Sequence, residues 1–133
     1  MPIPIAIERL TSSATHPLQA LGLEKDAAEP TAVLLQVHPL RIQRVKLDEH
    51  PDVIAATAWG FLLAQRDGRV LALDEDGYHL GRGSVEVEGE LHAIAPLSAY
   101  RIAIAHGTPA RGQVSVIDLE EWILEATAAI EQA

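Results

Sequence analysis

The sequence predicts a mainly β domain of antiparallel sheets built from repeated hairpins, finished by a C-terminal amphipathic helix. Three observations carry this. Residues 31–118 break into short apolar runs separated by turn residues. No two of those runs are joined by a stretch long enough to hold a crossover helix, which argues against parallel βαβ units. Only the last segment, 119–132, places apolar side chains at helical spacing over several turns.

Residues 1–30 read as an irregular leading segment of the one domain, 1–133. Pro2 and Pro4 limit the apolar stretch from Ile3 to Ile7 to an edge strand or an extended arm. A polar, turn-rich run follows at residues 11–15. His16 to Lys25 has room for a short helical turn, weakened by Gly22.

The β-rich part holds nine candidate strands: 32–37, 41–47, 53–58, 60–65, 69–74, 84–88, 91–95, 100–105 and 113–117. Asp67-Gly68 between two apolar runs is a hairpin signal, since such turns need positive φ. Ser84 to Glu88 alternates with period two and predicts a strand with one wet face. Leu62, Leu63, Val70, Leu71 and Leu73 lie in continuous apolar runs, the pattern of strands covered on both faces. Gly81-Arg82-Gly83 reads as a bulge or turn.

The helix opens at Asp118, with Glu121 three residues later in capping-box spacing. Leu119, Trp122, Ile123, Ala126 and Ile130 fall on one face. Trp122 is expected to anchor the helix on the sheet, with docking on a partner as the alternative.

The chain of 133 residues is 48% hydrophobic and 22% charged, enough for one real core and too apolar for a disordered tail. Nineteen acidic residues against ten basic ones give a net charge of −9. That balance argues against nucleic acid and against an anionic membrane surface, both of which reward clustered Lys and Arg. The single local group, Arg41, Arg44 and Lys46, reads as the wet side of a strand. With no cysteine, disulfides, thiolate zinc sites and cysteine nucleophiles are excluded. The start has no signal-peptide pattern and no run approaches a membrane span, so the expectation is a soluble, cytoplasmic protein.

Site chemistry is sparse. The six histidines, at 16, 38, 50, 79, 92 and 106, form no metal-ligand spacing. Asp74-Glu75-Asp76-Gly77 lacks the closing carboxylate of a calcium loop, since position twelve is Val85, and reads as a β-turn. No nucleophile elbow and no paired carboxylates stand out, so neither a cofactor nor a catalytic residue is expected. Trp59, beside Gly60 and Phe61, is the densest aromatic spot among five aromatics. It fits core packing or, alternatively, a platform for a ligand or partner.

Residues 55–74 and 93–118 share a plan of three short strands with a glycine-containing turn before the last. Asp74 and Asp118 are 44 residues apart, as are Val70 and Val114. A fainter copy ending at Asp48 has an offset of 26 and breaks the period. A period of 40–45 residues with several strands per unit is that of a propeller blade. The stretches 67–74 and 112–118 resemble the inner hairpin of a β-propeller repeat of the WD-repeat or quinoprotein-like kind. Leu73-Asp74 and Ile117-Asp118 stand where WD repeats carry Trp-Asp. The Gly-His start and the tryptophan of a WD repeat are missing. The resemblance spans about 32–118 and implies a partial propeller, with a sandwich or barrel as other arrangements of the same hairpins.

The functional expectation is a non-catalytic interaction or scaffold module with a protein partner, and with homo-oligomerisation as an option. The alternative is a small ligand-binding or enzymatic barrel whose pocket gathers His79, His92, His106 and Tyr100. A third is an accessory domain of a larger enzyme. Convergence of those four side chains discriminates the second reading from the first.

Overall fold

The computed structural model describes residues 7–13, 19–25, 28–37 and 40–131, with the side chains of 130 and 131 excepted. The proline-broken stretch before Ile7, the His16-Pro17 and His38-Pro39 pairs and the Ile130 side chain lie outside the described residues. The described residues form eleven strands and one helix.

The strands form three antiparallel meanders, each strand pairing only with its neighbours in sequence. Sheet 1 contains β1 (Ile7–Ser12), β2 (Gln19–Glu24), β3 (Thr31–Gln36) and β4 (Arg41–Lys46). Sheet 2 contains β5 (Val53–Thr57), β6 (Gly60–Ala64), β7 (Arg69–Asp74) and β8 (His79–Ser84). Sheet 3 contains β9 (Glu90–Pro96), β10 (Arg101–Thr108) and β11 (Arg111–Asp118), and helix α1 (Glu120–Glu131) follows. The first strands are neighbours in space, β1 beside β5 and β5 beside β9. The fold class is therefore mainly β with one C-terminal helix, as the sequence predicts.

The sheets stack face to face, and two apolar seams hold them. In the first, Leu21, Leu23, Ala32, Leu34 and Val45 of sheet 1 meet Phe61, Leu63 and Leu73 of sheet 2. In the second, Leu62, Ala64, Val70 and Ala72, from the opposite face of sheet 2, meet Leu91, Ile102 and Ile104 of sheet 3. Sheet 2 is thus covered on both faces, which is why β6 and β7 read as unbroken apolar runs.

Two local expectations are corrected. Residues 7–12 and 19–24 are strands, where the sequence predicts an irregular segment with a helical turn. Leu21 and Leu23 alternate onto the first seam, and Gly22, between them, faces the Ile7 side chain. The alternating run 84–88 is also mostly not a strand. β8 ends at Ser84, and Val85 and Val87 point into the second seam from a connector. Their alternation records burial without a partner strand.

The same device ends the third strand of sheets 2 and 3. Asp74 Oδ1 accepts from the N–H of Asp76 at 2.9 Å, and Asp118 Oδ1 accepts from the N–H of Glu120 at 2.9 Å. After Asp74 the chain turns back as β8; after Asp118 it starts α1. The helix packs on β8, where Gly81 and Gly83 leave room for the Trp122 ring. A Cβ at Gly81 would stand 3.4 Å from Trp122 Nε1, and one at Gly83 3.6 Å from its Cζ2. The two glycines are strand residues that form a seat for the ring, and the bulge expected here lies just before them, where Leu80 is the extra residue between His79 and Gly81 against β7. Leu119 and Ile123 complete the buried side of the helix. Trp122→Ala should lower the unfolding free energy by about 2–3 kcal/mol, since the ring is half-buried. Urea denaturation followed by circular dichroism checks this. A change under about 0.5 kcal/mol would mean that the helix does not stabilise the stack.

Candidate functional site

The residues that sequence reasoning singles out are placed apart. His79 begins β8, and its Nε2 lies 3.1 Å from the Lys46 carbonyl of sheet 1. His106 is buried in β10, with Nδ1 2.9 Å from the Glu88 carbonyl and Nε2 2.8 Å from Ser115 Oγ. Both ring nitrogens are thus engaged, and the imidazole ties the connector before β9 to β11. His92 is exposed on β9, at the bulge where that strand shifts register against β10. Tyr100 packs on the second seam beyond the other end of β10, six residues or about 20 Å along the strand from His106. The four side chains do not converge on one pocket, which removes the proposed constellation of the barrel reading.

Trp59 stands in the β5–β6 turn and packs on the second seam. Its buried Nε1 finds no hydrogen-bond partner among the described residues, nor does Thr57 Oγ1 two residues earlier. Trp122 is the helix anchor described above. Both tryptophans are therefore packed chiefly against the protein's own core.

A cleft of about 300 Å³ opens at the outer edge of the first seam, floored by Leu47, Pro51, Leu63 and Leu71. Arg82 pairs with Asp48, and Arg69 pairs with both Glu49 and Asp67. The Arg69 N–H and its guanidinium hold the Asp67 carboxyl below the usual carboxylate range. The side-chain bond to Asp67 raises Arg69 in turn. Two guanidiniums stand against three carboxylates here, every one of them in an ion pair, so the rim of the cleft is paired and slightly negative.

The feature that stands out is the outer face of sheet 3. Register places Ala93, Ala105 and Val114 in one row across β9, β10 and β11, and Ala95, Ala103 and Val116 in the next. Val114 is 73% exposed and Val116 61%. The equivalent rows of sheet 2, Val53–Ala64–Val70 and Ala55–Leu62–Ala72, are those that sheet 3 covers. Val70 and Val114 share the 44-residue offset, as do Ala72 and Val116. The face that sheet 2 buries is thus repeated on sheet 3 and left open. An Arg101–Asp118 ion pair of 3.5 Å closes one end of the open rows, and Gly107 opposite Gly112 closes the other. Sequence reasoning misses this face, although Ala93, Ala95, Ala103, Ala105, Val114 and Val116 already alternate along their strands. No protein-family model matches the chain, and no curated protein matches it.

Proposed function

We propose that the chain is a non-catalytic protein–protein interaction module of a soluble cytoplasmic assembly, built of propeller-type blades. The observation that carries this reading is the open apolar face of sheet 3, the repeat of a face that takes a whole sheet elsewhere in the same molecule. At about 300 Å² the patch matches the largest apolar patch of a typical monomer, which is often functional. The sequential meanders, the neighbouring first strands and the matched Asp74 and Asp118 turns support the likeness to WD-repeat and quinoprotein-like blades.

A photo-crosslinking residue at position 116 tests the reading in the native source. Position 125, exposed on the helix, is the control. A discrete adduct with a protein chain is expected from 116 and not from 125. Equal labelling from both positions, or none from 116, would sink the proposal.

A further inference from the structure

Resting on that reading of the sheet 3 face, we infer that its partner is a basic amphipathic helix of another protein, laid along β10 with its apolar side on the alanine and valine rows. The face itself selects a helix. The backbone groups of β9, β10 and β11 point within the sheet, so the face offers a partner no main-chain donor or acceptor. An extended peptide laid on it would bury its own N–H and C=O groups unpaired. A helix brings its hydrogen bonds with it. The rows span about 14 Å by 20 Å. One helix about 10 Å wide and about thirteen residues long, at about 1.5 Å per residue, covers that footprint.

The molecule already docks one helix on small strand residues. On β8, Gly81 and Gly83 admit the Trp122 ring of α1. On the open face, Gly107 lies directly opposite Gly112 at the end of the rows, and a Cβ at Gly112 would meet nothing within 4 Å. This bare pair, beside Ala105 and Val114, is the seat for one bulky side chain of the partner helix.

Charge gives the helix its sign. Residues 85–133, which hold sheet 3 and α1, carry eight acidic side chains against two arginines, and so −6 of the chain's −9. On the face itself, the Arg101–Asp118 pair neutralises one end. At the other end Glu90 pairs in register with Gly107, in the same row as Gly112, so its side chain leaves on the open side. Glu90 is exposed and makes no ion pair among the described residues. A lysine or arginine on the flank of the helix meets it there. The same negative surplus disfavours a second copy of this chain and any acidic partner.

The contact is smaller than the ~1,200 Å² at which stable complexes begin, so the expected Kd is on the order of 100 μM. The probe is a synthetic end-capped peptide of about fourteen residues, with leucines and one tryptophan on one helical face and lysines on the other. It is titrated into the isotope-labelled full chain near neutral pH and followed by NMR shifts, with thermal melts as controls for folding. Shifts are expected at Gly112, Val114 and Val116 and not along α1. A twin peptide with glutamate for every lysine should bind about tenfold more weakly or worse. Val116→Lys, a change at an exposed position, should abolish binding with an unchanged melt. Glu90→Gln should weaken it about threefold.

No shift at the valine rows overturns the inference. So do shifts spread over the glutamates of α1, which would mark unspecific adsorption of a cationic peptide. Equal binding of the acidic twin has the same force, as does normal binding by Val116→Lys or by Glu90→Gln. If the basic peptide fails yet position 116 crosslinks to a protein chain, the helix assignment fails and the interaction module stands. If neither associates, both fail.

Discussion

Replacing Phe61 with alanine should lower the unfolding free energy by about 3–5 kcal/mol, the range for emptying an aromatic site in a packed core. Phe61 is the chain's one phenylalanine and is 1% exposed, clustered with Leu21, Leu23 and Leu34 of sheet 1 and with Leu63 and Leu73 of its own sheet. Two stiff sheets flank the site, so the hole cannot collapse as it could beside a loop. A domain of this size has about 5–15 kcal/mol in total, so the variant approaches the edge of folding. Phe61→Leu keeps most of the volume and should cost about 1–2 kcal/mol. Equilibrium urea denaturation of both variants is the measurement. An alanine variant within about 1 kcal/mol of the parent would mean that sheets 1 and 2 are not held by this seam.

Gly60→Ala, at the neighbouring position, should cost about 3–4 kcal/mol although it adds a single methyl group. Gly60 starts β6 at a φ of 151°. A Cβ there would lie 2.1 Å from the Leu73 carbonyl oxygen and 2.8 Å from the Asp74 Cα. Both obstacles are backbone of the strand it pairs with, so relief requires breaking the Gly60–Asp74 register. Gly112 provides the contrast. A Cβ added there meets nothing within 4 Å, and Gly112→Ala should change stability by no more than about 0.5 kcal/mol. Thermal melts of the two variants side by side separate backbone strain from a general cost of losing glycine. Equal melting temperatures would contradict the geometry at Gly60.

Most of residues 31–118 was legible because hairpins leave local marks. The β6–β7 turn is an example: Asp67-Gly68 carries the signature, and Gly68 takes a φ of 96° in the structure. What the sequence hid depended on partners distant along the chain. Gly81 and Gly83 look like strand breakers until Trp122, about 40 residues on, is seen to need the space. Val85 and Val87 alternate like strand residues, but no second strand lies beside them. Gly22 argues against a helix and says nothing for a strand until β1 and β3 flank it. The histidines illustrate the converse. Residue type alone suggests a shared pocket, whereas the register fixes His79 and His106 in different sheets. The open face lies in the alternation of small apolar residues along β9, β10 and β11. Alternation, however, cannot distinguish a face covered by another sheet from one left bare.

The order of the stack also bears on how the molecule comes apart. Sheet 1 meets sheet 2, and sheet 2 meets sheet 3, so cooperativity passes through the middle layer as it does along a row of coupled repeats. Losing sheet 3 would bare Leu62, Ala64, Val70 and Ala72 yet leave the Phe61 seam whole. Sheet 3 is a terminal layer with one face uncovered, so opening that end breaks one seam only. Trp122, seated on β8, is the latch that opposes it, because fraying that end must also unseat the indole from its two glycines.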